Sequence, residues 1–299
     1  METISLTPQK ELVTSLIKRY QESLLPSRNP YIQYFLKPAG ATISVYTSGK
    51  VVIQGEDAVR YATELGYSES PRTSYSPAGQ NMSLMGSDEV GNGSYFGGLT
   101  VVASFVTPDQ HDYLRQLGVD DSKNMTDQRI QQLTPILQEK IAHQALLLTP
   151  KKYNEVIEQG YNAVSVKVAL HNQALYLLLK QGVQPKKIII DAFTTEKNYQ
   201  KYLKNESNHF SNPVTLEEKA EGKYLAVAVS SIIARSMFLD NLAKLGQEVG
   251  MTLPSGAGSK SDQVASRILK TYGMETLRHT AKLHFKNTQK AQMLARKVK

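Results

Sequence analysis

A stretch rich in Ser, Pro and Gly, SESPRTSYSPAGQNMS at 68–83, interrupts a chain that is otherwise hydrophobically patterned, and it has no period of its own. It divides the 299 residues into a first unit, 1–67, a linker, 68–83, and a second unit, 84–299. A unit of roughly 65 residues buries little apolar surface, so it suits a binding accessory better than a catalytic core. Any chemistry is expected in the larger unit.

In the first unit Leu12, Val13, Leu16, Ile17 and Tyr20 share one helical face within 7–24. Pro26, Ser27 and Pro30 break that pattern. Residues 31–54 read as β structure, with ATISVYTSGKVVIQG forming two alternating runs around Ser48-Gly49, and 57–65 reads as a second helix. In the second unit, strand-like runs at 84–89, 98–106, 141–148, 186–191 and 213–218 alternate with helical stretches at 126–140, 162–182, 222–239 and 261–282. That is an α/β pattern. LPSGAGSKSD at 253–262 reads as a flexible turn, and no internal repeat is present.

The chain has no cysteine, which excludes disulfides, thiolate zinc sites, iron-sulfur clusters and cysteine nucleophiles. A metal would have to sit on oxygen or imidazole. The N-terminus mixes charges into a helical pattern, and no stretch reads as transmembrane, so a cytoplasmic protein without membrane attachment is expected. The formal charge of +8 is concentrated in residues 257–299, where ten Lys/Arg face only Asp262 and Glu275. Such a segment fits a polyanionic partner, and it equally fits a solvated helix face.

Four acids stand at the borders of apolar runs. Asp88 and Glu89 follow MSLMGS and precede Gly91-Asn92-Gly93. Neighbouring side chains in a strand point to opposite faces, so both acids could serve one cluster only if the glycines bend the chain; otherwise they are a solvated pair on a loop. Asp191 closes PKKIIID at the carboxyl edge of a buried strand, where open α/β sheets place ligands, or else it caps a helix beginning near Thr194. Glu221 lies at the start of a long apolar helix, where a carboxylate also complements the helix dipole. Together on one edge, Asp88, Glu89, Asp191 and Glu221 would make an all-oxygen site for Mg²⁺ or Mn²⁺, suited to phosphoryl chemistry.

Other motifs fail. The dinucleotide-binding spacing after Gly91 and Gly93 needs a third glycine where Phe96 stands, and in GAGSKS Ser259 separates Gly258 from Lys260. The six histidines contain no HExxH arrangement, and there is no GxSxG elbow.

Several segments, in order, resemble the type 2 ribonucleases H: GSDEVGNGSYFGGLTVVASFV at 86–106, GVDDSKNMTDQRI at 118–130, IIIDAF at 188–193, KAEGKYLAVAVSSIIARSMF at 219–238 and AKLHFKNT at 281–288. The extra N-terminal unit, Glu221 in Lys-Ala-Glu-Gly and the AKLHF segment place the resemblance with the ribonuclease HIII group rather than HII. It implies a mixed sheet flanked by helices, preceded by an α+β domain like the TATA-box-binding protein. It also implies an endonuclease that cuts the RNA strand of RNA/DNA hybrids at several consecutive ribonucleotides, leaving 5′-phosphate and 3′-hydroxyl ends; a monomer is expected.

By the same resemblance Asp88, Glu89, Asp191 and Glu221 bind Mg²⁺ or Mn²⁺, and Gly91, Asn92 and Gly93 approach the ribose. Related enzymes often carry a basic residue where Asn92 stands, so a side-chain phosphate contact there is not implied. Ser122, Lys123, Ser230 or Ser231, and Arg235 would contact backbone phosphates, although serines in an alanine-rich helix also mark close packing. Two other readings are a catalytically silent nucleic-acid-binding protein on the same fold and another metal-dependent nuclease of the same superfamily.

Overall fold

The computed structural model describes residues 2–27, 29–67 and 81–296. The linker expected at 68–83 therefore lies, as far as Gln80, outside the described residues. The chain divides into two compact units, Met1–Tyr75 and Ser76–Lys299.

The first unit comprises β1 (Glu2–Leu6), α1 (Lys10–Arg19), β2 (Leu24–Leu25), β3 (Ile32–Leu36), β4 (Ala41–Tyr46), β5 (Val51–Gly55) and α2 (Ala58–Glu64). Its strands form an antiparallel sheet in the order β1-β5-β4-β3-β2. The alternating pattern turns Ile43, Val45, Val51 and Ile53 inward onto Leu16, Leu36 and Tyr61. The expected hairpin joins β4 and β5, closed by the Gly49 amide donating to the Tyr46 carbonyl at 2.9 Å. The helix begins at Lys10 rather than residue 7, because Gln9 is extended. Strand β1, which local periodicity does not reveal, exists through its pairing with β5, Ile4 opposite Ile53.

The second unit runs β6 (Leu84–Val90), β7 (Leu99–Val106), α3 (His111–Gln116), α4 (Asp127–Lys140), β8 (Ala142–Leu148), α5 (Pro150–Glu158), α6 (Ala163–Lys180), β9 (Lys187–Asp191), α7 (Glu196–Leu203), β10 (Val214–Glu217), α8 (Leu225–Glu248), α9 (Ser259–Thr280) and α10 (Lys286–Arg296). The sheet order is β10-β9-β6-β7-β8. Strands β6, β9 and β10 are parallel, while β7 is antiparallel to both its neighbours, so the sheet is mixed. Met85, Val101, Ile188 and Ile190 pack on α6; Leu84, Val102 and Ile189 face α4 and α8.

Helix α8 crosses β6 at Gly86, where a Cβ would lie 2.3 Å from the Val227 nitrogen. Only glycine permits that approach. Small residues complete the seam: the Ser104 hydroxyl donates to the Ala226 carbonyl at 2.6 Å, and the Ser230 hydroxyl donates to the Gly86 carbonyl at 3.0 Å. Contrary to the sequence expectation, α8 is long and apolar enough to cross a membrane by length and composition, but 67% of its most apolar window is buried inside the protein. The turn expected to be flexible at 253–262 is anchored: Gly256 accepts from the Tyr95 amide at 3.0 Å, its own amide donates to the Ser94 hydroxyl at 3.1 Å, and helix α9 has begun by Ser259.

Candidate active site

The ladder between β6 and β9 ends with Ser87 beside Ile190, so Asp88 and Asp191 are the next residues on two adjacent parallel strands. Gly86 and Ile189, two positions earlier in each, face α8. By the strand period Asp88 and Asp191 face the same way. Asp88 is 8% exposed and accepts hydrogen bonds from Ser231 of α8 and from the Glu89 amide, the latter at 2.7 Å.

The Asp191 carboxylate accepts from the Ala220 amide at 2.8 Å, which ties it to the short 3-10 turn Ala220–Gly222 that carries Glu221. Lys219, ahead of that turn, holds φ 56, a left-handed conformation unusual outside glycine. Asp191 and Glu221 also share a side-chain hydrogen bond. The helix-cap reading of Asp191 is thereby replaced, since Thr195 caps α7 by accepting from the Asn198 amide. Glu221 precedes the long helix, whose first residue is Leu225.

Glu89 goes elsewhere. The β6–β7 ladder continues unbroken through Asp88, Glu89 and Val90, so the bend that would put both acids on one face is absent from the strand. Glu89 points toward α6, where its Oε1 lies 3.1 Å from Lys167 Nζ and its Oε2 3.0 Å from His171 Nε2. Among the described residues no three Asp, Glu or His side chains form a closed metal cage. The pleat turns Glu89 away from Asp88, Asp191 and Glu221 and toward α6.

Electrostatics distinguishes the two faces. Burial, reinforced by the Glu89 and Asp191 charges, pushes the Asp88 carboxyl up to about 8. Burial also raises Asp191, against the Ala220 hydrogen bond and with the help of Glu221. Burial would raise Glu89 too, but the His171 hydrogen bond and the charges of His171 and Lys167 bring it below the ordinary range. Asp88 and Asp191 make no ion pair among the described residues. Clustered oxygen donors with uncompensated charge fit a hard divalent cation.

The glycine turn follows β6 directly. Gly91 has φ 104, and a Cβ there would stand 2.3 Å from the Gly98 carbonyl oxygen and 3.0 Å from the Phe238 ring. Asn92 and Gly93 are exposed, and Gly93 has neither a left-handed φ nor a neighbour within 4 Å of its Cβ position. The AKLHF segment holds the far side of this turn: Phe96 bridges Ala281, the Gly97 amide donates to the Thr280 carbonyl at 3.0 Å, and Lys282 Nζ donates to the Gly97 and Gly98 carbonyls at 2.5 and 3.3 Å. Lys282 is 1% exposed, and burial lowers its amine to about 7. It thus drops out of the solvated basic set. Arg278 pairs with Glu158, while Lys260, Arg267, Lys270, Lys286, Lys290 and Arg296 remain exposed.

The expected phosphate contacts fare unequally. Ser230 is fully buried between Gly86 and Ser104 and belongs to the packing seam. Ser230→Ala is expected to lower stability by about 1–3 kcal/mol and leave the KM unchanged, checked by thermal melts beside steady-state cleavage. Ser231 contacts Asp88. Arg235 forms a bidentate pair with Asp127 at 3.0 and 3.1 Å. Ser122 lies in a 3-10 turn, Val119–Asn124, packed against the Glu221 turn and α8. The Lys123 side chain is outside the described residues. Sequence reasoning missed Lys167 and His171, although a cation and an imidazole four residues apart in the apolar run VSVKVALHNQALYLLL are an available signal.

Comparison with known proteins covers nearly the whole chain. A family model described as Ribonuclease HII matches residues 85–288, and one described as a domain of unknown function (DUF3378) matches 3–77. The curated Ribonuclease HIII of Streptococcus pneumoniae (strain 70585) is 66% identical over 291 residues, spanning 97% of this chain and 98% of that protein. The chain belongs to the ribonuclease HIII family. Its fold agrees with the crystal structure of Bst-RNase HIII in complex with Mn2+, with a TM-score of 0.71 and 34% identity over 98% of this chain and 99% of that one. Ribonuclease H2 from Pyrococcus horikoshii OT3 covers 72% of this chain, all of its own, with a TM-score of 0.61 and 26% identity. Family membership makes the protein a ribonuclease H, a hydrolase of the RNA strand in RNA/DNA hybrids.

Proposed function

We propose that Asp88, Asp191 and Glu221, with Glu89 recruited from the opposite face, hold the divalent cations that drive this hydrolysis. The observation carrying the assignment is the side-by-side placement of Asp88 and Asp191, with Asp191 hydrogen-bonded to the Glu221 turn. Two Mg²⁺ or Mn²⁺ ions, when bound, activate a water and stabilise the leaving oxygen of an in-line displacement. The protein supplies the rest. Ser231 orients Asp88, Ala220 orients Asp191, and the turn from Gly91 to Gly93 offers backbone groups to the 2′-hydroxyl of the strand being cut. The products carry 5′-phosphate and 3′-hydroxyl ends. Cleavage of an RNA/DNA hybrid but not of the matching DNA duplex in Mg²⁺ tests the reading; cleavage of both duplexes would favour another nuclease, and binding without cleavage a silent one.

The six exposed cations of the C-terminal segment support phosphate contact by the catalytic unit. The first unit adds affinity for the hybrid by shape and backbone contacts, on a sheet whose likeness to the TATA-box-binding protein belongs to the same reading. Deleting residues 1–80 is then expected to raise the KM for hybrid about tenfold or more while some cleavage survives at saturation. A folded core inert at saturating hybrid contradicts that division of labour. The reading extends to a cytoplasmic monomer, and the buried position of α8 supports a setting away from the membrane.

A further inference from the structure

On the α6 side of the sheet, Glu89 is held by both oxygens. Lys167 Nζ takes Oε1 and His171 Nε2 takes Oε2, and the three side chains are only 6%, 0% and 9% exposed for Lys167, His171 and Glu89. The two donors stand four residues apart on α6, so one helical face presents both. They are themselves fixed. The His171 ring stacks on Phe193 at 5.0 Å and 14°, its Nδ1 lies 2.7 Å from the Ser87 hydroxyl, and Lys167 Nζ sits 4.4 Å above the Phe193 ring.

We propose that Lys167 and His171 are positioning residues that hold Glu89 away from the Asp88 face, and that the Lys167 charge sets how tightly the site takes a divalent cation. The inference rests on the assignment of Glu89 as a cation ligand. Because β6 stays regular through Val90 and both Glu89 oxygens are held by α6, Glu89 turns to a cation on the Asp88 side only against those two contacts. A cation engaged by Glu89 also meets the ammonium of Lys167 at short range in a poorly solvated setting, where like charges repel strongly. Lys167 therefore opposes metal loading while keeping Glu89 charged and in place. A buried ion pair with only a stabilising role would lower the melting temperature when broken and would not tighten metal binding.

The test is calorimetric titration of Mn²⁺ alone, without nucleic acid, into the full chain and its variants. Lys167→Met is expected to bind Mn²⁺ about fivefold or more tightly than the unaltered protein, and the gain should vanish in Glu89→Gln/Lys167→Met relative to Glu89→Gln. Lys167→Gln keeps a donor for Glu89 without the charge and must shift affinity in the same direction, which carries the test if the Met variant does not fold. Unchanged or weaker Mn²⁺ binding by a folded Lys167 variant overturns the inference, as does a gain that persists in the Glu89→Gln background. Glu89→Gln separates the two levels. If that variant weakens Mn²⁺ binding while the Lys167 variants do not tighten it, only the role of Lys167 falls; if it binds Mn²⁺ and cleaves hybrid normally, Glu89 leaves the site and both claims fall.

Discussion

Asp88→Asn is expected to abolish metal-dependent cleavage, by about three orders of magnitude or more, and at the same time to stabilise the metal-free protein. The first effect follows from charge, because an amide of the same shape offers a hard divalent cation no anionic oxygen. The second follows from burial. Asp88 is 8% exposed beside other carboxylates, and its carboxyl is pushed from 3.8 to about 8. A carboxyl raised in the folded state favours folding at pH values below its unfolded value and loses that contribution as pH rises toward the folded one. Metal-free wild-type protein should therefore lose stability between about pH 4 and pH 8, by on the order of a few kcal/mol. The substituted amide does not titrate, so the variant should melt above the unaltered protein at pH 8 and show a flatter pH profile. A folded Asp88→Asn enzyme with substantial turnover, or one melting below wild type at pH 8 without metal, contradicts this account.

Gly91→Ala should be the most damaging single-methyl change in the turn from Gly91 to Gly93. The backbone there sits at φ 104, and the added Cβ would fall 2.3 Å from the Gly98 carbonyl, which Lys282 holds from behind. Left-handed strain and a backbone collision together cost about 2–4 kcal/mol, and relief would displace the turn beside Asp88 and Glu89. Cleavage and melting temperature should fall together. Gly93→Ala meets no atom within 4 Å and needs no unusual φ, so its melt should stay within about 0.5 kcal/mol of the unaltered protein. Any loss of cleavage in that variant then reports on approach of the ribose. The positive φ of this turn belongs to Gly91 and not to Gly93, so Gly93→Val should act through access to the turn rather than through backbone strain. Wild-type melting of Gly91→Ala would remove the steric basis of the turn.

Three of the acids stood out by position: Asp88 after MSLMGS, Asp191 after PKKIII, and Glu221 just ahead of a long apolar helix. The side of the sheet each would face was not. Asp88 and Glu89 are adjacent in sequence, yet the pleat sends one toward Ser231 and the other toward Lys167 and His171, partners that only the packing of α6 brings near. The five strands of the large sheet were legible for the same reason as the acids, as apolar runs bounded by turns. Helices α3, α5 and α10 were not read, being short pieces whose order depends on tertiary packing, and α7 entered only as the helix near Thr194 that Asp191 would cap. Lys282 counted as one cation of a basic segment, but its amine is buried on two backbone carbonyls that no charge count can reveal.

If carboxylates on adjacent strand ends hold the cations for RNA-strand hydrolysis, cleavage depends on each of them and on the cation. That dependence can be read by following cleavage of an end-labelled RNA/DNA hybrid by wild type and Asp191→Asn across a Mg²⁺ titration, with thermal melts confirming both folds. Wild type is expected to give RNA-strand products that disappear when the cation is chelated, and Asp191→Asn none at any Mg²⁺ concentration. RNA cleavage by folded Asp191→Asn at a rate near wild type, or cleavage by wild type that survives chelation, would contradict it.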